Sequence, residues 1–170
     1  DQKGVYIPSQ KDLEEIFKSV DKKTLQPYND NFTDEPLIEK LPSRGKVVKK
    51  DTIPELDAQI WTLSNGIRVQ LKQTDFKNDE VLFSAFSEGG HSLVEDVDYI
   101  SAATATSLVL EGGIGEFDNI QLQKKLAGKV VSVNPILSTY QEGFAGSASP
   151  EDLRTMFDLI YAYATVPRKD

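Results

Sequence analysis

The chain contains no cysteine and only one histidine, His91. Without cysteine it can form neither disulfides nor thiolate metal sites, and thiol catalysis is excluded. A single imidazole cannot supply a two-histidine zinc motif, so this chain alone lacks the ligands of a histidine-based zinc centre. These two absences exclude thiol chemistry and metal sites built from cysteine or several histidines on this chain alone.

Long apolar runs and an excess of basic residues are also missing. No stretch approaches the roughly 18 apolar residues that a membrane helix needs, so no transmembrane segment is expected. Asp and Glu number 27 against 19 Lys and Arg, which gives a net charge of −8. A surface of that sign repels phosphate backbones, and nucleic acid is therefore not an expected partner. The 170 residues, 39% hydrophobic and 27% charged, suit one globular domain with an arm.

Residues 1–56 differ from the rest because they hold most of the prolines. We interpret 1–56 as a linker arm between domains; a regulatory or docking segment is the alternative. The arm contains one predicted helix, 9–21, because Ser9 and Asp12 have the spacing of a capping box and apolar residues follow at helical spacing. The first residue is Asp1 rather than Met, so a processed fragment is expected.

The compact domain is predicted over 57–170 and opens with a hairpin. Two β-prone runs, 60–64 and 67–71, flank Asn65-Gly66, a pair typical of a type I′ turn. The spacing of apolar residues, together with the glycines and prolines that interrupt it, then predicts six further elements. These are a strand at 80–87, helices at 97–110 and 119–127, strands at 129–134 and 139–146, and a final helix capped by Ser149 and Asp152.

The resulting order, β-β-β-α-α-β-β-α, predicts an α+β domain in which helices pack on one face of a mostly antiparallel sheet. Helix 97–110 should place its small residues on the packed side, and burial on both sides stays open. The final helix should bury one apolar stripe, formed by Leu153, Met156, Phe157, Ile160, Tyr161 and Ala164.

Three features could carry chemistry, and each has a simpler structural interpretation. The glycine-rich run Glu111–Phe117 follows a helix and has no Lys, so a helix stop with a tight turn is favoured over a phosphate loop. His91 follows the end of a strand, where a lone histidine is usually a loop residue. Acidic pairs at helix starts complement the helix dipole. The residues alone therefore predict no catalytic and no metal-binding residue, and the substrate-binding residues are unknown.

Four segments, taken in order, resemble the pitrilysin/insulinase family of zinc metallopeptidases, the inverzincins. WTLSNGIRVQLKQ resembles the opening hairpin of the family, and VLFSAFSEGGHSLVED resembles its third strand and glycine turn. YISAATATSLVLEGGIGEFDNIQLQKKLAGKVVSVNP resembles the helix pair and the next strand, and SASPEDLRTMFDLIYAYAT a later helix. The resemblance begins at Trp61 and implies a LuxS/processing-peptidase-like domain that is partial at its C-terminal end.

The family's catalytic helix carries H-x-x-E-H, in which two histidines bind zinc and the Glu acts as general base. One alignment places this motif on Thr104, Ser107 and Leu108. A shifted alignment uses Glu111 as the Glu and places Leu108 and Gly112 at the histidine positions. Both alignments lack both histidines, so the resemblance implies a non-catalytic segment with no cofactor of its own.

Members of the family often carry several homologous domains, of which one binds zinc while the others shape a substrate chamber. The run QLQKKLAGKVVSVNP resembles the third domain of four-domain bacterial members. The resemblance therefore implies a zinc-dependent endopeptidase as the parent protein, with zinc in its catalytic domain. Implied partners are that domain and an extended peptide or unfolded substrate, and the implied compartment is a bacterial periplasm or envelope. A structural or assembly subunit is the alternative, and self-association of the fragment is expected if strands are missing.

Overall fold

The computed structural model describes residues 7–24 and 35–168, and the chain divides into two units, 1–31 and 32–170. In the first unit, helix α1 spans Gln10–Asp21. The backbone N–H of Asp12 donates to Ser9 Oγ at 3.3 Å, and the N–H of Ser9 donates to Asp12 Oδ2 at 2.7 Å. The predicted helix and its capping box are confirmed, while the part of the predicted arm at 25–34 lies outside the described residues.

The described residues of the second unit, 35–168, form six strands and three α-helices, with single turns of 3₁₀-helix between some of them. The bounds are β1 Val47–Ile53, β2 Ala58–Leu63, β3 Arg68–Lys72, β4 Val81–Glu88, α2 Tyr99–Gly112, α3 Asn119–Lys125, β5 Val131–Leu137, β6 Gln141–Ala148 and α4 Leu153–Thr165. All strand pairs are antiparallel. The predicted α+β class is confirmed. No helix in the described part of the chain is long and apolar enough to cross a membrane.

The strands form two three-stranded sheets, β1-β2-β3 and β4-β6-β5, rather than the one sheet expected. Strand β1 was not predicted, and it extends the first sheet upstream of Asp57, the expected start of the domain. Its sequence VVKKDTI has Lys49, Lys50 and Asp51 in the middle, and six of its seven residues are exposed. A strand with both faces in water has no hydrophobic alternation, which explains why the pattern missed it.

The hairpin between β2 and β3 is present, but its turn differs from the prediction. The N–H of Gly66 donates to Leu63 O at 2.9 Å, and the N–H of Leu63 donates to Ile67 O at 2.8 Å. Gly66 has φ +88°, whereas among described non-glycine residues only Asp57 has a positive φ, so Asn65 does not. The loop is therefore a three-residue turn closed by a left-handed glycine, not a type I′ turn, which needs two positive φ values.

The second sheet presents two unlike faces. Phe83 on β4, Val133 on β5 and Phe144 on β6 lie on the face that packs against α4 and the core. The ring of Phe83 contacts that of Phe157 on α4, edge to face, at 5.7 Å between centroids. Side chains alternate along strands, so the next residues point to the opposite face, which is here called the open face. The open face carries Leu82, Ser84, Phe86, Gly143, Ala145, Ser132 and Ile136. Leu82 is 76% exposed, so nothing described covers this face.

The hydrophobic core is small and centres on α4. Its buried members are Ile114, Phe117, Leu122, Val133, Ala148, Met156, Leu159 and Ala162. The predicted stripe of α4 is wrong in part, since Phe157 is 49% exposed and Ala164 is exposed, while Leu159 and Ala162 are buried instead. Apolar residues cover more of α4 than its buried face does, with Arg154 and Asp158 on the remaining side, so packing against β5 and β6 decides which of the apolar residues are buried.

Helix α4 also begins later than predicted. The backbone N–H of Asp152 donates to Ser149 Oγ at 3.1 Å, as expected for a cap, but residues 150–152 form a turn and the helix starts at Leu153. The carboxyl of Asp152 accepts hydrogen bonds from the backbone N–H of Val130 at 2.8 Å and from Lys129 Nζ at 3.2 Å. The Val130 hydrogen bond, with help from Lys129 and Ser149, holds the pKa of Asp152 below its usual value.

We expect Asp152→Asn to destabilise the domain near neutral pH, because the ionised carboxyl joins the start of β5 to the start of α4. A carboxyl whose pKa is lowered by folding stabilises the folded state at pH values above its pKa in the unfolded chain. This contribution is lost as the pH falls through its pKa in the folded state. The difference in free energy of unfolding between wild type and variant should therefore shrink as the pH falls below 3.8, the ordinary pKa of aspartate. Urea unfolding at about pH 7 and about pH 3 measures this.

A matched control for that variant is Asp158→Asn, which removes an exposed ion pair with Arg154 Nε. Such i,i+4 pairs contribute about 0.3–0.5 kcal/mol, so the control should hardly change the urea midpoint. An Asp152→Asn variant with the midpoint of the control at both pH values would contradict the role given to Asp152.

The position of the core predicts how two substitutions on α4 should differ. Leu159 is 2% exposed, and Leu159→Ala should lower the free energy of unfolding by about 2–5 kcal/mol. Phe157→Ala should cost less, because half of that ring already contacts solvent. Equal or reversed losses in urea unfolding would instead support the stripe that the sequence predicted.

Candidate functional site

The helix that the resemblance matches to a zinc-binding helix is present as α2, close to its predicted bounds. It packs against β5, and its half-buried residues include Ala102, Ala105 and Val109. The half-buried side therefore contains some of the expected small residues, while Ala103 and Ser107 are exposed. Burial on both sides is not found, since no residue of α2 is buried and Ile100 and Leu108 are 70% and 67% exposed.

The positions matched to the zinc motif lie on the exposed side of α2. The hydroxyl of Thr104 donates to the carbonyl of Ile100, one turn back, at 2.9 Å. Ser107 and Leu108 are exposed. In the shifted alignment, Glu111 Oε2 accepts a hydrogen bond from Asn119 Nδ2 at 3.2 Å. Protein zinc ligands are imidazole, thiolate and carboxylate groups, so this set does not fit a zinc site.

No other cluster replaces those ligands in the described residues. Across 7–24 and 35–168, no group of three or more His, Asp or Glu side chains could hold a metal ion. His91 lies in a 3₁₀ turn after β4, where its ring contacts that of Tyr99 edge to face at 5.1 Å. Its backbone N–H donates to Ser138 O at 3.0 Å, so His91 joins this turn to the β5–β6 loop. The absence of catalytic and metal residues remains a prediction.

The glycine-rich run after α2 is part of the core. Helix α2 ends at Gly112, and Gly113 has φ +92° with its Cα facing the carbonyl of Phe117, where a Cβ would lie 2.2 Å from the oxygen. Ile114 and Phe117 are 1% and 3% exposed. The N–H of Gly115 donates to Val166 O at 2.8 Å. The run is the predicted helix stop and tight turn, closed by the segment that follows α4.

Two open cavities mark the surface. One, of about 450 Å³, lies at the end of β4 and is lined by Glu88, Gly89, Ser92, Leu93, Tyr140 and Gln141. The other, of about 590 Å³, lies on the first sheet, beside Trp61 and the Pro54 turn. In that sheet the ammonium of Lys50 lies 4.3 Å from the centroid of the Trp61 ring.

Sequence reasoning did not find the open face of the second sheet. The alternation Leu82-x-Ser84-x-Phe86 was the available signal, since it places two large apolar side chains on the face opposite Phe83. Phe86 is 71% exposed and stands opposite Gly143 in the ladder. Exposed apolar groups in such an arrangement mark binding surfaces more often than isolated ones do.

Comparison with known proteins adds a direct test of the resemblance. No protein-family model matches the chain. The chain is 35% identical over 97 residues, 57% of its length, to a zinc protease PQQL-like protein of Arabidopsis thaliana. It is 26% identical over 127 residues, 72% of its length, to the probable zinc protease PqqL of Haemophilus influenzae. The matched regions amount to 10% and 14% of those two proteins, so the chain spans a small part of each.

Two solved structures share the fold. One is the ferredoxin protease FusC, in mutant form and in complex with Arabidopsis ferredoxin, with a TM-score of 0.73 at 22% identity over 98% of this chain. The other is the periplasmic protease PqqL from Escherichia coli, with a TM-score of 0.73 at 23% identity over 94% of this chain. Each match covers 18% of the solved chain. The resemblance to pitrilysin-type zinc proteases is confirmed, and the chain is similar to a segment of such proteins.

The residues on α2 lead to a prediction about zinc. The chain should show no stoichiometric zinc site of sub-micromolar affinity, because Thr104, Ser107 and Leu108 supply no imidazole or carboxylate. Isothermal titration calorimetry with zinc measures this. The variant His91→Ala removes the only imidazole, which could bind zinc weakly at the surface, and Glu111→Gln removes the carboxylate on α2. A tight site that Glu111→Gln abolishes and His91→Ala leaves intact would contradict the prediction.

Proposed function

We propose that this segment is a non-catalytic domain of a pitrilysin-type zinc peptidase, where it forms part of the substrate chamber and binds extended peptide. One observation carries the proposal. The chain has the fold of a protease segment over nearly its whole length, while the helix matched to the zinc motif carries Thr104, Ser107 and Leu108. A LuxS/processing-peptidase-like fold, the finer form of the α+β class, is part of this proposal.

The proposal assigns the zinc chemistry and the contact surface to different domains. The parent protein is a zinc-dependent endopeptidase, and zinc is bound by its catalytic domain, outside this segment. This segment contributes shape and contact surface rather than a reacting group. Its partners are the catalytic domain of the same parent protein and a peptide or unfolded protein. The description of a solved neighbour as a periplasmic protease supports a bacterial periplasm or envelope as the compartment.

The distribution of apolar side chains supports a role inside a larger protein. Ile100 and Leu108 on α2 are two-thirds or more exposed, and so are Leu82 and Phe86 on the open face. Exposed apolar side chains that group into patches mark interfaces or binding surfaces. The surfaces of this segment therefore suit contact with other domains and with peptide.

The exposed side of α2 also favours a second candidate, a structural or assembly subunit without peptidase activity. A helix side that exposes Ile100 and Leu108 suits a permanent protein interface as well as it suits a chamber wall. The parent sequence separates the two candidates. An H-x-x-E-H motif upstream of Asp1 supports the peptidase, and a parent without that motif supports the structural subunit.

The direct test of the proposal is a pair of measurements on the chain itself. A panel of fluorogenic peptides should remain uncleaved, because nothing described on α2 activates a water molecule. Fluorescence anisotropy should at the same time detect binding of extended apolar peptides. Cleavage that a chelator stops, and that Glu111→Gln removes while Glu116→Gln does not, would contradict a non-catalytic domain. Absence of any peptide binding would favour the structural subunit.

A further inference from the structure

The turn between β2 and β3 contains Asn65-Gly66, the only place in the chain where a glycine follows an asparagine. Both residues are exposed. Asparagine is a thermolabile residue, because the backbone nitrogen of the next residue can attack its side-chain amide carbon. A glycine at that next position has no Cβ to hinder the attack. Sequence and exposure therefore bring the reacting atoms of a deamidation together in this turn.

The folded turn holds both reacting groups in hydrogen bonds. The nitrogen of Gly66 is the nucleophile, and its N–H donates to Leu63 O at 2.9 Å. The side-chain carbonyl oxygen of Asn65 accepts the N–H of Ile67 at 3.2 Å. Ring closure converts the Gly66 nitrogen into an imide nitrogen without a hydrogen, so its bond to Leu63 O must break for the reaction to occur. The folded turn therefore opposes a reaction that its sequence favours.

The turn is also attached to the residue that precedes β1. The N–H of Ser64 donates to Lys46 O at 2.7 Å, and the N–H of Lys46 donates to Ser64 Oγ at 3.1 Å. A motion that opens the turn must therefore loosen the first sheet at this end as well. All of these hydrogen bonds join residues within 46–67, so they are local to the hairpin and its neighbouring strand.

We propose that Asn65 is a site of spontaneous deamidation, and that the folded turn delays the reaction until this end of the hairpin opens. The Gly66 nitrogen loses its proton to the solvent and bonds to Asn65 Cγ, while the Cγ–Nδ2 bond breaks and ammonia leaves. Water then opens the succinimide ring at one of its two carbonyls. Water is the only co-reactant and nothing is oxidised or reduced, since an amide becomes a carboxylate. The proposal does not rest on the proposed function.

The two products differ in their backbone. Opening of the ring between Cγ and the Gly66 nitrogen gives Asp at position 65, with the normal main chain. Opening on the other side gives isoaspartate, in which the main chain runs through Cβ and Cγ and is one atom longer. The length and type of a hairpin turn fix the register of its strands. Isoaspartate should therefore disturb the pairs next to the turn, Thr62↔Arg68 and Trp61↔Val69.

Trp61 offers a direct signal for that disturbance, because it is the only tryptophan in the chain. The ammonium of Lys50, its partner on β1, lies 4.3 Å from the centroid of its ring. The Nε1–H of Trp61 donates to Gln59 Oε1 at 3.1 Å. Both contacts belong to the first sheet. A change in tryptophan fluorescence therefore reports on that sheet and not on the core around α4.

The test compares the folded chain 1–170 with the same chain unfolded in urea, both incubated in mildly alkaline buffer. Peptide mapping by mass spectrometry measures conversion, and enzymatic methylation of isoaspartate identifies that product. In the unfolded chain Asn65 should convert faster than Asn78, a matched exposed asparagine that Asp79 follows. In the folded chain Asn65 should convert at least about fivefold more slowly than in urea, since each hydrogen bond of the turn accounts for about two- to tenfold.

Matched substitutions test the protection by the turn. Ser64→Ala removes the acceptor of the Lys46 N–H and should speed conversion in the folded chain about two- to tenfold, without changing the rate in urea. The control is Ser138→Ala, which removes the hydroxyl that accepts the N–H of Gln141 in the β5–β6 loop. It should leave the rate at Asn65 unchanged. Circular dichroism confirms that each variant is folded.

Two substitutions at position 65 test the effect on the first sheet. Asn65→Ser cannot deamidate, and its hydroxyl can still accept the N–H of Ile67. Its tryptophan fluorescence should stay constant during the incubation that changes the wild type. Asn65→Asp carries the new charge without the extra backbone atom, and its fluorescence should match that of the unconverted chain.

Each part of the proposal has a result that would overturn it. Conversion of Asn78 before Asn65 in urea would overturn the site. Equal rates at Asn65 in the folded and unfolded chain, or equal rates in Ser64→Ala and Ser138→Ala, would overturn the protection by the turn. The same fluorescence change in Asn65→Ser as in the wild type, or none in wild type that contains isoaspartate, would overturn the effect on the first sheet.

Discussion

The fold of the second unit depends on the contact between one face of α4 and the inner face of the β4-β6-β5 sheet. Met156, Leu159 and Ala162 are essentially inaccessible, and they pack with Val133 and Ala148 from the strands. The glycine turn after α2 closes one end of this contact, and the cap at Asp152 fixes where α4 starts relative to β5. Only eight hydrophobic residues are buried among those described, so each contributes a large share of the stability.

This arrangement explains which parts of the fold could be predicted from sequence. The capping box at Ser9 was predicted and has both of its hydrogen bonds, because a cap is made by residues three apart. Most strands and helices were also found at nearly their observed bounds. Signals of this kind are local, and no distant partner can change them.

Several of the features that sequence reasoning missed depend on distant partners. The buried side of α4 is set by β5 and β6, since Phe157 and Leu159 are equally apolar in the sequence. Strand β1 exists because β2 offers it a ladder, not because its own residues alternate. At the candidate site the helix α2 could be predicted, but the exposure of Ile100 and Leu108 could not, because exposure depends on what surrounds a helix.

The placement of α2 also explains why the side chains at the positions matched to the zinc motif have little influence on the fold. The positions that the resemblance matches to the motif, Thr104, Ser107 and Leu108, lie on the exposed side of the helix, away from the core. Substitutions at exposed positions usually change stability by less than about 0.5 kcal/mol. Replacing metal ligands there would leave the contact between α4 and the sheet unchanged. The fold therefore does not depend on which side chains stand at those positions, and under the proposed function this segment keeps its shape and its surfaces without metal ligands there.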